Sequence, residues 1–525
     1  MKKAAFVSKI LSTIWILGIL FVLSEAYLRF FSPPSETWQH LAQVILPNVL
    51  NQTLTIMILS SLLAGILGIA SAFLIVMFDF KGRRYIRFLL YLPLAIPPYI
   101  AAYVVVAMLS YTGIIQQTLR QFMDVNPFWF EIPAMVLGVY VFALTLFPYV
   151  YIAVKAFLEK HLTNYIETAR TLSKGNGSIF MTIALPLSLP ALIGGMVLVG
   201  LEILGDYGTV LYLGIPTFST AIFRSWFSLR DFDSALRLSG ILMTIVLAVL
   251  LVEHLLRKNT KQIMPANARA LKRKALTGWR HVLVVGYFSL FLLLALVLPV
   301  GQLLYWAWLS ADNIRWTNTG SMLLNTMMLG FLVTAGILII GLIIANFTRL
   351  SKGWYPTLVA KITMLGYSIP GSVIAILVLY AFILLSEWFN ISVLTGISML
   401  VFGLIIRYLG LGYQNLEWGF KKIGLRHNEI AQTLGKSYTH GLVFIDVPLL
   451  KPAIITAYAL VFVDVIKELP LTLNLRPFNF HTLATQVYQY ASDERLVEAA
   501  IPSLMIIGVS ILFLYPVITL VNKED

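Results

Sequence analysis

Five charged side chains and one phenol sit at the ends of two long apolar runs. Glu202, Asp206 and Tyr207 close the first, and Asp464, Lys467 and Glu468 close the second. In each run the carboxylates stand four residues apart, a spacing that puts both on one face of a helix. Ionisable groups in such runs are costly and usually face a cavity or a partner. Carboxylates suit a hard cation, and the phenol of Tyr207 would add an oxygen ligand. With no cysteine in the chain, thiolate metal sites, disulfides and iron–sulfur clusters are excluded, and any metal must use oxygen or imidazole ligands. The seven histidines form no cluster at metal-binding spacing. Three roles stay open for Glu202, Asp206, Asp464 and Glu468: transient contact with a metal, a gate or ion pair, or helix-end structure. Lys467, three residues from Asp464, could neutralise it, and Asp206 could merely end a helix ahead of Gly208. A transport route in any case needs binding weak enough to release its ion.

The elements that hold these groups follow from composition. Of 525 residues, 59% are hydrophobic and 12% charged, with a mean hydropathy of +0.85. A soluble domain carries about 25% charged residues, so most of this chain lies in lipid. Apolar runs place spans at 10–31, 53–78, 88–111, 132–154, 186–205, 237–256, 280–309, 325–347, 362–385, 397–415, 448–468 and 501–521. The expected class is therefore an all-α polytopic membrane protein with about twelve transmembrane helices. Residues 1–31 read as a retained first span rather than a cleaved signal peptide.

The net charge of +14 is absorbed by topology rather than by nucleic acid. With a cytoplasmic N-terminus, about 29 of the 38 Lys and Arg fall inside and about 8 outside, so both termini are expected in the cytoplasm. A basic polar stretch at 257–280 divides the chain into a first half, 1–256, and a second half, 281–525. Such a stretch either binds anionic lipid or is a solvated linker that fixes topology, and the second reading is adopted.

The halves repeat. ETARTLSKGNGSIFMTIALPLSLP from Glu167 aligns without a gap, 262 positions on, with EIAQTLGKSYTHGLVFIDVPLLKP from Glu429. Identities include Glu167/Glu429, Ala169/Ala431, Leu172/Leu434, Pro186/Pro448 and Pro190/Pro452. Both copies lie between the fourth and fifth spans of their half, which makes the halves parallel repeats. Each copy reads as a short exposed helix, with Asn164 and Asn428 as candidate caps and Gly435 permitting close backbone approach. At the same offset Glu202 matches Asp464 and Asp206 matches Glu468, so pseudo-twofold symmetry would bring the four carboxylates to a central path. Counted from Pro190 and Pro452 at about 1.5 Å per residue, they lie roughly 18 and 24 Å into the membrane.

These loops, at about 164–190 and 426–452, resemble the EAA loops of permease subunits of ATP-binding-cassette importers. The second carries Glu429, Ala431, Gly435, Ile445 and Pro448; the first keeps Glu167, Ala169, Ile183, Leu185 and Pro186 but has Thr168 and Ser173 where the motif has alanine and glycine. The resemblance implies a type I importer permease fold with both halves fused. Its partners would be two copies of a cytoplasmic ATPase, a periplasmic substrate-binding protein and the lipid bilayer. In that family the loop is a coupling helix seated in the ATPase, which assigns coupling to Glu167, Ala169, Leu172, Pro186, Glu429, Ala431, Leu434, Gly435 and Pro448. ATP and magnesium would belong to the partner. This chain would bind no cofactor and be no enzyme, since Gly435-Lys436-Ser437 lacks the rest of a phosphate loop.

The stretches ILGDYGTVLYLGIPTFSTAIFRSWF from Ile203 and KELPLTLNLRPFNFHTLATQVYQYASDERLVEAA from Lys467 are most similar to the ferric-iron permeases of bacteria. That implies Fe(III) as cargo and the bacterial inner membrane as location. Related permeases for thiamine or aminoethylphosphonate share the loops and are alternatives. A gradient-driven secondary transporter also has parallel six-span repeats, but has no need of two matched docking loops. A membrane-embedded enzyme would need paired His and carboxylate at one depth, which is lacking.

Elsewhere, Arg407 in the tenth span either pairs with a carboxylate or snorkels toward the cytoplasmic surface, the second being preferred. Pro97, Pro98 and Pro370 read as kinks or packing features of the third and ninth spans. Gly410 and Gly412 do not make a helix-dimer motif.

Overall fold

The computed structural model describes residues 2–123, 131–161, 163–172, 175–258, 273–313, 316–390 and 397–523. Residues 259–272 of the basic linker lie outside that set, as do Ser173 and Lys174 of the first loop and the side chain of Asn164.

A lipid environment offers no partner to a backbone N–H or C=O, so each apolar run closes its hydrogen bonds within a helix. Eleven described helices are long and apolar enough to span a membrane, and a bent pair makes a twelfth. They are Phe6–Phe31, Glu36–Met77, Pro98–Phe122, Ala134–Lys160, Asn176–Gly205 and Phe232–Leu256 in the first half. The second half has Trp279–Ser310, Trp316–Leu350, Gly371–Phe389, Ser398–Ile423, the pair Tyr438–Leu449 and Lys451–Ile466 bent by 70°, and Leu496–Thr519. We number these spans 1 to 12. The expected all-α class holds, apart from a two-residue parallel ladder joining Phe78–Asp79 to Lys274–Ala275.

Spans 3 and 9 begin later than their apolar runs suggest. Pro97 (ψ 137°) and Pro370 (ψ 141°) are extended and stand just before the first helical residues, Pro98 and Gly371. Proline lacks the N–H that a helix interior needs and disfavours helical geometry in the residue before it. The prolines therefore start these helices instead of kinking them. A second repeated device precedes Pro186 and Pro448, where one π-helical turn covers Phe180–Ala184 and another Leu442–Asp446.

The halves are interlocked. Span 1 leaves its own half and packs on the second, with Trp15 edge-on to Phe402 at 5.6 Å and Arg29 over the Tyr380 ring at 4.9 Å. Span 7 does the reverse, where Phe291 meets Phe147 at 4.6 Å and Trp306 stacks on Tyr103 at 6.2 Å. Gly412, though in no dimer motif, lies so close to span 8 that a Cβ there would come within 2.4 Å of Ile337. A cavity remains between the halves, where spans 5 and 11 both stop.

Candidate functional site

Spans 5 and 11 end in the same way, and the carboxylates explain how. Asp206 accepts hydrogen bonds from the backbone N–H of Thr209 (2.9 Å) and Val210 (3.3 Å) and from the Thr209 hydroxyl (2.9 Å). It thereby caps the short helix Gly208–Tyr212. Glu468, its repeat mate, accepts from Leu471 N (2.8 Å), Thr472 N (2.9 Å) and the Thr472 hydroxyl (2.8 Å), capping Pro470–Leu475. The longer glutamate reaches one threonine further along the chain. Both groups thus have much of their hydrogen-bonding capacity engaged at helix starts.

Glu202 and Asp464, one turn earlier, are differently placed. Both line the central cavity together with Asp206, Glu468, Arg407 and Lys467. Lys467 Nζ pairs with Asp464 Oδ1 at 2.8 Å. Tyr367 donates to Glu202 Oε1 at 3.3 Å. All four carboxylates therefore reach one cavity, as the symmetry argument expects, yet among the described residues no group of three or more acidic, His or Cys side chains could hold a metal ion. The cavity is about 90 Å³, room for a few waters.

Two placements differ from the sequence reading. Arg407 does not snorkel: it is buried, donates to the Ile369 carbonyl at 2.5 Å and lines the cavity. Room for it comes from Gly205, where a Cβ would lie 3.1 Å from Arg407 Nη2, and Gly371, where one would lie 3.5 Å from Arg407 Nε and 2.9 Å from Glu468 Oε1. An arginine that deep faces carboxylates across the half-to-half interface, and its place in an apolar run was the signal available. Tyr207 lines a separate cavity with Val210 and Arg224, its ring 4.1 Å from Phe223, and is absent from the central one. Tyr149, Tyr367 and Tyr408, aromatic residues inside apolar runs, carried no such signal.

Both Glu loops are short helices, Thr163–Thr171 and Arg426–Thr433, on one face of the molecule. Glu167 and Glu429 are exposed while Ala169 and Ala431 are buried, so each helix turns its small residue inward. Leu172 (68% exposed), Ile430 (57%) and Leu434 (75%) project outward. Gly435 ends the second helix at φ +78°, and Lys436 N donates to Ala431 O at 3.0 Å. Asn428 is not the cap expected of it. It is fully buried, and its amide donates to Asp446 Oδ2 at 2.6 Å. Arg349 pairs with the same oxygen at 2.9 Å and donates to Gly424 O at 2.7 Å. This buried network ties the second loop to the π turn before Pro448.

The model of the family of binding-protein-dependent transport system inner membrane components matches twice, at residues 64–252 and 336–522. The chain is 25% identical over 475 residues to the Fe(3+)-transport system permease protein FbpB 2 of Haemophilus influenzae, covering 87% of each chain. It is 33% identical over 144 residues, 27% of its length and 61% of the relative's, to the molybdenum transport system permease protein ModB of Escherichia coli K12. The sulfate transport system permease protein CysT of Salmonella typhimurium is 30% identical over 162 residues, 31% of this chain and 56% of the relative.

Proposed function

The chain belongs to the family of binding-protein-dependent transport system inner membrane components, both halves of the permease being fused in it, and from that premise we propose that it carries ferric iron inward, driven by ATP. The observation that supports iron most is the likeness to a Fe(3+) permease over 87% of each chain, joined to a cavity lined by four carboxylates against two cations.

In this reading the face with the Glu loops and both termini is cytoplasmic, in a bacterial inner membrane. Two copies of a partner ATPase receive Leu172 on one side and Ile430 with Leu434 on the other, beside Glu167 and Glu429. Closure of the ATPases on ATP moves both loops, and a loaded periplasmic binding protein delivers iron to the opened cavity. The second loop reaches the cavity through the network at Asp446, the π turn, the 70° bend after Leu449 and the helix from Lys451 to Ile466. From Lys451 to Asp464 that helix spans about 20 Å. A loop displacement is therefore delivered at Asp464 and Lys467, where a weakened ion pair would free a carboxylate for the cargo.

Radioactive Fe(III) uptake into proteoliposomes holding the chain, its ATPase and its binding protein tests this, with thiamine, molybdate and sulfate in parallel. Iron uptake that needs ATP and is lost in a Glu202→Gln/Asp464→Asn double variant, with ATPase activity retained, is the expected result. A second reading has its own observation: Arg407 and Lys467 give the cavity two donors for an oxyanion, the kind of cargo named for the sulfate relative. It predicts the opposite pattern, with uptake lost on Lys467→Gly and retained in the carboxylate double variant. Uptake of any cargo without ATP overturns both.

A further inference from the structure

We propose that Arg83, Arg87 and Arg273 form a binding site for a phosphate-bearing anion on the face that carries the Glu loops, closed by the end of the linker between the halves. Gly82, at φ +87°, turns the chain after span 2 into the short helix Arg83–Leu89. Arg83 Nε donates back to the Ile75 carbonyl at 2.8 Å, which fixes its guanidinium beside the end of span 2. The parallel ladder then pairs Phe78 with Lys274, and Leu276 N donates to Asp79 O at 2.9 Å. That pairing sets Arg273 next to the same spot.

The donors outnumber their acceptors. Nη2 of Arg83 and Nε of Arg273 are both buried without a hydrogen-bond partner. Among the described residues neither arginine forms a salt bridge with a carboxylate, and Glu159 is held through Oε2 by Lys155 at 2.9 Å while its Oε1 has no hydrogen-bond partner. Burial, then the charges of Arg273 and Arg87, push Arg83 below the ordinary arginine range against the smaller opposing effect of Asp79. Orphaned guanidinium donors in a crowd of like charge are costly, and an anion with several oxygens relieves both costs at once. Phosphate fits the planar guanidinium forks best. A lipid headgroup at the membrane surface and a free phosphate share this chemistry, and basic pockets beside spans are suited to the former.

Thermal unfolding of the purified full chain in uncharged detergent separates the cases. Phosphatidylglycerol is compared with phosphatidylcholine, and inorganic phosphate with chloride at matched ionic strength, for wild type, Arg273→Gln, Arg83→Gln and the exposed control Arg84→Gln. The expected result is a rise in Tm with phosphatidylglycerol that is at least halved in Arg273→Gln and kept in Arg84→Gln. The same pattern with inorganic phosphate alone assigns the site to a free anion. Arg273 stands immediately before the two-residue surface strand Lys274–Ala275, so Arg273→Gln carries the test should Arg83→Gln not fold. No rise with either anion, an undiminished rise in Arg273→Gln, or an equal loss in Arg84→Gln overturns the site.

Discussion

Behind the second Glu loop stands a buried ionic network, and the first has none of its members. At the 262-residue offset Asp446 is matched by Ala184 and Asn428 by Ile166, while Arg349, at the 273-residue offset that relates Thr53 to Thr326, is matched by Val76. All three replacements are buried and apolar. The first loop is thus seated by packing of Ile166, Ala169 and Ile179 in one core, the second by charge. The cavity shows the same bias. Arg407 and Lys467 belong to the second half, and their counterparts are Thr145 and Gly205. Backbone devices are shared throughout: π turns, helix-starting prolines, and threonine capping boxes at Thr217 and Thr482. Gene-fused halves can keep a common frame while one of them alone supplies the cavity's basic side chains and the buried ionic network.

Breaking the network should have the largest effect. Asp446→Ala leaves Arg349 and Asn428 buried without their shared acceptor, a loss of about 3 to 5 kcal/mol for one partner of a buried pair. Ile166→Ala, at the matching seat of the first loop, should cost about 2 kcal/mol or more through the cavity it leaves. Denaturation of both variants in detergent measures the difference. An Asp446→Ala chain as stable as wild type would show that charge does not hold the second loop.

The cavity comparison sharpens next. Arg407→Thr copies the first half and removes the donor to Ile369 O, for about 1 to 3 kcal/mol. Thr145→Val removes only a bond to Val141 O within its own helix and should stay within about 1 kcal/mol. Equal effects would mean that Arg407 contributes nothing beyond its volume. Below the Arg407 effect comes Gly435→Ala: forcing a Cβ into the left-handed region costs about 1 to 2 kcal/mol. ATPase stimulation by the loaded binding protein should fall with it, and unchanged stimulation would detach this turn from coupling.

How much of this was legible in the residues depends on whether a signal was local. The spans, the repeat and the pairing of Glu202 with Asp464 were readable because hydropathy and register are properties of the string. Asp206 and Glu468 were readable only as carboxylates at run ends, since a cap and an ion contact use the same residue type and differ only in which N–H groups point at it. Arg407 was misjudged because snorkelling is a local argument, whereas its burial depends on Gly205 and Gly371 from other elements leaving space. Asn428 failed likewise: its partners Asp446 and Arg349 come from two further segments, and no spacing within the loop announces them. The exchange of spans 1 and 7 between the halves is a matter of packing, on which the order of apolar runs is silent.

The smallest expected difference between the halves is their response to acid. The loop before span 6 is held by Asp231. Burial raises its carboxyl, but hydrogen bonds from Ser234 and Ser35 outweigh this and keep it below the usual carboxylate range. Its contribution is therefore complete above about pH 4 and fades only as pH falls through that range. The second half has His481 where the first has Pro216, at the 265-residue offset of the capping boxes. Burial, then the charge of Arg476, lowers the His481 pKa, and Arg476 Nη1 lies 2.7 Å from His481 Nδ1, a bond that neutral histidine accepts. The folded state thus resists protonation that the unfolded chain accepts near pH 6.5, so stability is full above that pH and declines below it. Wild type should lose slightly more Tm than His481→Gln between about pH 7.5 and 5.5, where histidine alone among ordinary side chains titrates. Identical pH profiles for the two proteins would place the acid sensitivity of the second half elsewhere than in this contact.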